Sequence, residues 1–468
     1  MALSLSDFES DALSTLMSYG EIPCLSPMFD SQWIEHGYLD IAINLLADWA
    51  KSRRFAQSQV TIHRLEGRTP VLTVTIEATG PVDGTVVLYG HLDKQPPLGD
   101  WSPGLEPFRP SRQGDRLFAR GLADDGYSTF SALLALEQLE ADGIEHGRCV
   151  VLIEASEESG SPDLDAHLDA LSDLLGQVEL LICLDSGALT YDRLWVTTSL
   201  RGVINVEVTV RVLEQGQHSG SASGVVPSSF RILRQLLDRV EDASTGEILV
   251  EELRAIIPDE HVRAAHDIAE EFGDIVAREL PVLPGVNLMG DSSADRILRR
   301  SWSPTLSIVG MSGVPDSSIA GNVLRPFTTA VLSFRLPPSV NAELACEALM
   351  RVLSNDIPSS AIVELSSHAA DGWVAPVLAP WLDQALSEAS IGAFGHDVGF
   401  TGEGGSIPFL ASLGKRYPDV QFVATGVLGP GSNAHGIDEM LDLPMMIGVT
   451  NAVSSVVAAF ARHKRESA

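Results

Sequence analysis

Histidine and carboxylate residues fall repeatedly where apolar runs of this chain give way to loops. TVVLYG, from Thr85, runs into His91 and Asp93, and CVVLIE, from Cys149, runs into Glu157 and Glu158. LLICL runs into Asp185, and QFVATGV, from Gln421, is followed by His435. The loop ahead of Thr129 adds Asp124 and Asp125. Neutral imidazoles and carboxylates are the divalent-metal ligands of hydrolases, and they gather where buried strands end. A lone acidic residue after a strand is ordinarily a helix cap or a solvated turn. Two histidines and several carboxylates at strand ends would instead form a costly negative cluster unless cations neutralised it. The pattern points to a dinuclear metal site.

The elements that must position these residues are of two textures. Up to about residue 200, the short apolar segments VLTVTIE (from Val71), TVVLYG, CVVLIE and VELLICL (from Val178) alternate with helical patterns, as in an α/β sheet covered by helices. Phe130, Leu133, Leu134 and Leu139 recur at helical spacing and predict a helix packed on that sheet. From Arg201, RGVINVEVTVRVL puts Ile204, Val206, Val208, Val210 and Val212 on one face, the alternation of a half-buried antiparallel strand. A helix with Phe230, Leu233, Leu237 and Val240 follows, and TTAVLSFRL, from Thr328, predicts another strand. The last eighty or so residues return to the first texture, closing on a helix through Met446, Val449, Val453, Val457 and Phe460. The expected architecture is an α/β catalytic domain, residues 1–199 and 389–468, with a mixed sheet flanked by helices. An α+β domain, residues 200–388, splits it.

Composition narrows the function. The 468 residues are 45% hydrophobic, enough for a large core in two domains. Asp and Glu number 63 against 31 Lys and Arg, and a formal charge of −32 repels nucleic acid and anionic membranes, so neither is expected as a partner. The opening stretch carries Asp7, Glu9 and Asp11 where a signal peptide would carry lysines, and runs of about eighteen apolar residues are missing, so a soluble cytoplasmic protein is expected. Cys24, Cys149, Cys183 and Cys346 have neither zinc-ribbon nor disulfide-framework spacing and are expected as buried thiols.

The stretches YGHLDKQPP, RLFARGLADDG, EASEESGSPDLD, LICLDSG, SLRGVINVEV, QHSG, LSFRLPP, GEGGSIP and GPGSNAHGIDE carry a specific resemblance. In kind and order they resemble the M20-type dinuclear zinc metallopeptidases, which include cytosolic dipeptidases, carnosinases, carboxypeptidase G and the aminoacylases, and they are nearest to the dipeptidase and carnosinase branch. The resemblance implies two divalent ions per chain, zinc or alternatively manganese or cobalt. His91 with Asp185 would hold one ion and Glu158 with His435 the other, with Asp124 bridging. It makes Glu157 the general base for a metal-activated water and Asp93 the carboxylate that orients His91. His218, in QHSG, would reach the active site of a partner subunit and stabilise an oxyanion, which implies a homodimer formed through the inserted lid domain. Arg335 would bind the substrate's carboxylate, and Glu403, Gly404, Gly405 and Ser406 would form a substrate loop.

The resemblance implies cleavage of the peptide bond of dipeptides or small peptides. The same metal chemistry would serve an N-acyl amino acid amidohydrolase of the aminoacylase type, and a non-catalytic binding protein on the same fold is the third reading. Three positions depart from the family pattern: Gly126 and Gly402, where many relatives have lysine and arginine, and Gly216, where many have an acidic residue.

Overall fold

A computed structural model of the protein describes residues 2–405 and 408–467. The chain forms two compact units, the first Met1–Thr198, Ala375–Thr401 and Ser412–Ala468, the second Ser199–Val374 and Gly402–Ala411. The strands used below are β1 (Ser58–His63), β2 (Val71–Ile76), β3 (Thr85–His91), β4 (Arg148–Glu154), β5 (Val178–Cys183), β6 (Trp195–Leu200), β7 (Gly202–Arg211), β8 (Thr305–Ser312), β9 (Phe327–Leu336), β10 (Ile362–Ala370) and β11 (Gln421–Ala424). The helices are α1 (Tyr127–Ala141), α2 (Leu164–Ala170), α3 (Ser229–Leu237), α4 (Ala342–Ser354), α5 (Pro380–Phe394) and α6 (Leu443–Ser467).

The first unit is built on a mixed sheet in the order β1-β2-β4-β3-β5-β11-β6. Its centre, β4-β3-β5-β11, is parallel, while β1, β2 and β6 pair antiparallel. Parallel strands covered by helices are largely apolar on both faces, and every residue of β3 is buried. The parallel register puts the carboxyl ends of β3, β4 and β5 side by side, with His91 opposite Glu154 and Tyr89 opposite Cys183. Helix α1 is buried on nearly all sides rather than on the one face that Phe130, Leu133, Leu134 and Leu139 predict. Its polar residues are satisfied inside: Ser128 Oγ donates to the Asp125 carbonyl at 2.7 Å, and Thr450 Oγ1 donates to Ser131 Oγ at 2.9 Å. Helix α6 is long and apolar enough to cross a membrane, but 78% of its most apolar window is buried within the protein, as in a core helix. The four cysteines are free and buried.

The second unit holds an antiparallel sheet, β8-β9-β7-β10. Ile204, Val206, Val208 and Val210 of β7 join Ala330, Leu332, Phe334 and Leu336 of β9 in one core beneath α3 and α4. Two expectations need correction. The chain re-enters the first unit at Ala375 rather than at residue 389, because α5 packs on α6, and Gly402–Ala411 stays with the second unit. Helix α3 turns Ile232, Leu233 and Leu236 inward and leaves Phe230 46% exposed.

Tight packing around the loop Leu122–Gly126 accounts for one departure. A Cβ at Gly126 would lie 2.1 Å from Cε1 of Tyr19 and 2.5 Å from the Gly121 carbonyl oxygen. Tyr19 cannot readily yield. Its hydroxyl donates to the Leu92 carbonyl at 2.8 Å, and the ammonium of buried Lys94 donates to the carbonyls of Tyr19 (3.0 Å) and Ile22 (2.9 Å). Gly216 and Gly402 are also close-packed: an added Cβ would meet Val323 at 2.8 Å and Ser199 Oγ at 2.5 Å respectively.

The turn after β4 is tied to the segment preceding β2. Asp163 accepts from the Thr69 amide at 2.9 Å, Thr69 Oγ1 donates to Ser156 Oγ at 3.1 Å, and His167 of α2 donates from Nε2 to the Thr69 carbonyl at 2.8 Å. Burial holds the imidazoles of His63 and His167 below the ordinary histidine range, and the charge of His167 lowers His63 further.

Two outcomes follow for stability. Gly126→Ala should cost about 1–3 kcal/mol in urea unfolding, and less in a Tyr19→Ala background, because the added methyl overpacks against that ring. The unfolded chain protonates His167 near pH 6.5, whereas the fold resists it. Stability present above that pH is therefore lost as pH falls through it toward the folded value. Unfolding free energies measured between about pH 7.5 and about pH 5.5 should fall more steeply for wild type than for His167→Gln.

Candidate dinuclear metal centre

His91 ends β3 and is fully buried. Its Nδ1 lies 3.1 Å from the Asp93 carbonyl oxygen, which can only accept, so Nδ1 carries the proton in the neutral ring and Nε2 presents a lone pair. That Nε2 stands 3.3 Å from Asp124 Oδ1 and 3.8 Å from Asp185 Oδ2. The other oxygen of Asp124, Oδ2, is 2.9 Å from His435 Nε2, which is also 3.3 Å from Glu158 Oε2. Asp124 thus turns one oxygen to each histidine. Ligand atoms of His91, Glu157 and Asp185 lie within 4.8 Å of one another, as do those of His91, Asp124 and Glu158.

Local structure aims these groups. The Asp124–Asp125 peptide is cis, in the tight loop ahead of α1. Asp125 Oδ2 accepts from the backbone amide of His91 at 3.2 Å. Glu157 and Glu158 form a single 3-10 turn after β4, and their amides donate to Oδ1 and Oδ2 of Asp93 at 3.1 and 3.0 Å. Asp93 therefore serves two partners, with its carboxylate also 3.5 Å from His91 Nδ1. Gln95 Nε2 donates to Glu158 Oε2 at 2.6 Å. Asp185 lies just past the end of β5.

The electrostatics are those of an anionic pocket. Burial, and next the charge of Asp185, pushes Glu157 well above the carboxylate range; burial and Asp124 raise Glu158; burial lifts Asp185 to about 7. Burial opposes the charged forms of both histidines, yet Asp185, Asp124 and Asp93 push His91 well up, and Asp124 and Glu158 push His435 to about 11. Burial would raise Asp124 too, but the hydrogen bond from His435 and the charges of the two histidines hold it low. The residues fit divalent ions. His91 Nε2 and Glu158 Oε1 are buried without a hydrogen-bond partner. Orphaned acceptor atoms of this kind are what a cation satisfies.

The remaining predicted residues belong to the second unit. His218 is exposed in the short pair Gln217–His218 with Val323–Leu324, and its Nδ1 accepts from the Gly220 amide at 3.2 Å, which leaves Nε2 as the N–H donor. Arg335 lies on β9 between Val203 and Thr305, and burial lowers its pKa. Glu403, Gly404 and Gly405 continue from the strand Gly399–Glu403, and Ser406 lies outside the described residues. Sequence reasoning missed Arg201. Its guanidinium donates to the carbonyls of Gly404 (3.2 Å) and Ser303 (3.3 Å), and its amide to that of Gly405 (3.1 Å), so it shapes the Glu403–Gly405 loop. Burial, then the charges of Arg335 and Arg300, bring its pKa down to about 10. The only sequence signal was its place in SLRGVINVEV. Arg120 and Glu439 were missed as well, and both lie in quoted stretches.

Residues 87–459 match the model of peptidase family M20/M25/M40. The cysteinylglycine-S-conjugate dipeptidase of Corynebacterium striatum is 27% identical over 363 residues, covering 76% of this chain and 77% of that protein. The Cys-Gly metallodipeptidase DUG1 of Candida albicans is 25% identical over 475 residues, covering 92% and 96%. The solved structure of the di-peptidase Dug1p from Saccharomyces cerevisiae shares the fold, with a TM-score of 0.79 over 98% of this chain and 97% of that one at 23% identity. With the family match spanning most of its length, the chain belongs to peptidase family M20/M25/M40 and is a metallopeptidase of the dipeptidase branch.

Proposed function

We propose that the protein hydrolyses the peptide bond of dipeptides or small peptides with two divalent ions, zinc in the first instance, one held by His91 and Asp185, the other by Glu158 and His435, and both by Asp124. The observation that carries this reading is Asp124, whose two oxygens face the two histidines. Bound ions would supply Lewis-acid polarisation of the scissile carbonyl and acidify the attacking water.

The chain's own groups divide the remaining work. Glu157 takes the proton from the attacking water and passes it to the leaving amine nitrogen; its buried carboxyl, raised by Asp185, is suited to holding a proton between those steps. Asp93 orients His91 and, through the amides of Glu157 and Glu158, fixes base and ligand in one turn. In the second unit, Arg335 is assigned to the substrate's carboxylate and Glu403 to its free amine, with Gly404, Gly405 and Ser406 completing the loop. The crowding of Arg201, Arg335 and Arg300 favours an anion there.

His218 is assigned to the oxyanion of a partner's substrate, and its tautomer supports that role by leaving Nε2–H as donor. A dimer through this unit is supported by the edge strand β8, where Ile308 (49%), Val309 (63%) and Met311 (45%) are exposed beside an unpaired strand edge.

The decisive experiment uses chelator-stripped protein reloaded with measured Zn2+, Mn2+ or Co2+ and a panel of Cys-Gly, β-Ala-His, alanyl dipeptides and N-acetyl amino acids. Turnover of unblocked dipeptides alone is expected; turnover of acylamino acids alone would replace this reading with the aminoacylase one. Glu157→Gln should bind both metals yet lose about 10²–10⁴-fold in kcat; wild-type kcat would remove Glu157 as base. His218→Ala should also lose turnover with its metals in place. Mixed with Glu157→Gln, it should regain activity in hybrid dimers; failure to do so would place its action within one chain.

A further inference from the structure

Outside the ligands, the most heavily used buried charge in the first unit is Glu439, at 0% exposure beside Arg120 at 1%. Oε1 of Glu439 accepts from the amides of Gly121 (3.0 Å), Ala123 (3.1 Å) and Asp124 (3.3 Å), and Oε2 accepts from Arg120 Nη1 at 2.7 Å. The other end of the Arg120 guanidinium, Nη2, donates to the carbonyl of Gly436. A buried carboxylate is costly unless such donors surround it, and here they all come from the segment that carries Asp124, while the carboxylate itself belongs to the loop that carries His435. Arg120 and Gly121 lead into the first loop; Gly436 and Glu439 follow His435 directly in the second.

The histidines depend on this brace unequally. His91 and Asp185 sit at or beside the ends of β3 and β5, whose ladders place them. His435 has no ladder. It lies in a loop with φ +61°, its side chain 54% exposed, flanked by other positive-φ residues, Asn433 and Asp438. A second tie on this loop, from the Ser102 amide to Asp438 at 2.9 Å, is at the surface, whereas the Arg120–Glu439 pair is inside.

We infer that Arg120 and Glu439 are a positioning pair that sets His435 against Asp124 and thereby tunes the ion position made by Asp124, Glu158 and His435, leaving the His91–Asp185 position largely independent. This rests on the two-ion reading above. Glu439→Gln keeps the size of the side chain but sets an NH2 group against donors, which loosens one loop from the other.

The test is calorimetric titration of Zn2+ into apo full-length protein, with thermal unfolding and steady-state kinetics alongside. In Glu439→Gln one of the two equivalents should stay within about threefold of wild type while the other loses about 10–100-fold in affinity, the usual effect of an outer hydrogen-bond partner on a metal. kcat should fall at limiting zinc and recover as zinc rises, with KM unchanged. Arg120→Lys, which can keep the Glu439 contact but cannot also reach Gly436, should show the same asymmetry more weakly. Two equivalents at wild-type affinity in Glu439→Gln overturn the inference, as does equal weakening of both together with a lower melting temperature, the mark of a merely structural role. If Glu439→Gln does not fold, Arg120→Lys decides by the same criteria. A wild-type protein that binds fewer than two zinc ions overturns the two-ion reading itself, and the pair's role with it.

Discussion

Mutual repulsion among carboxylates held out of water is the constraint around which the first unit is organised. Asp93, Asp124, Asp125, Glu157 and Asp185 are all buried, and Glu158 nearly so, within one small volume with two imidazoles. A fold tolerates such a concentration of like charge only by giving each oxygen a donor or a cation. The backbone supplies as many donors as geometry allows: Asp93 takes two amides of the Glu157–Glu158 turn, Asp125 the amide of His91, and Glu439 three amides of the Gly121–Asp124 segment. Among the described residues of this cluster, His91 Nε2, Asp125 Oδ1 and Glu158 Oε1 remain without a hydrogen-bond partner.

The spending of main-chain donors explains the odd local shapes. A carboxylate that collects neighbouring amides needs a chain that turns sharply, and the segments at 121–124 and 157–158 that supply them both lie in tight turns. The sheet beneath is ordinary by contrast, with largely apolar parallel strands whose ends lie side by side. Irregular loops on a regular platform allow ligands from distant parts of the chain to meet without cutting into the core.

What could be read beforehand follows the same division. The strands of both units are legible because burial on two faces gives unbroken apolar runs and burial on one gives alternation, as in β3 and β7. His91, Glu157, Glu158 and Asp185 stand out because they interrupt such runs. Helix α3 misleads because Phe230 sits at apolar spacing yet faces solvent, and a boundary at residue 388 cuts through α5, whose partner α6 lies far along the chain. Arg120, Glu439 and Arg201 carry no local periodicity at all; their meaning lies in contacts to loops up to 319 residues away. Gly126 looks like a lost lysine in the sequence and is a packing necessity in space, since the space belongs to Tyr19.

The strand order carries a consequence for biosynthesis. Strand β11 lies between β5 and β6, yet it is the last of the sheet to leave the ribosome, after the whole second unit has been made. Until then β5 has an open hydrogen-bonding edge in the middle of what will become the core, because β11 pairs with it from Leu180 to Cys183. The nascent chain therefore carries an adhesive seam through about half of its synthesis, and the second unit, whose own sheet needs no later strand, can mature while the catalytic platform waits.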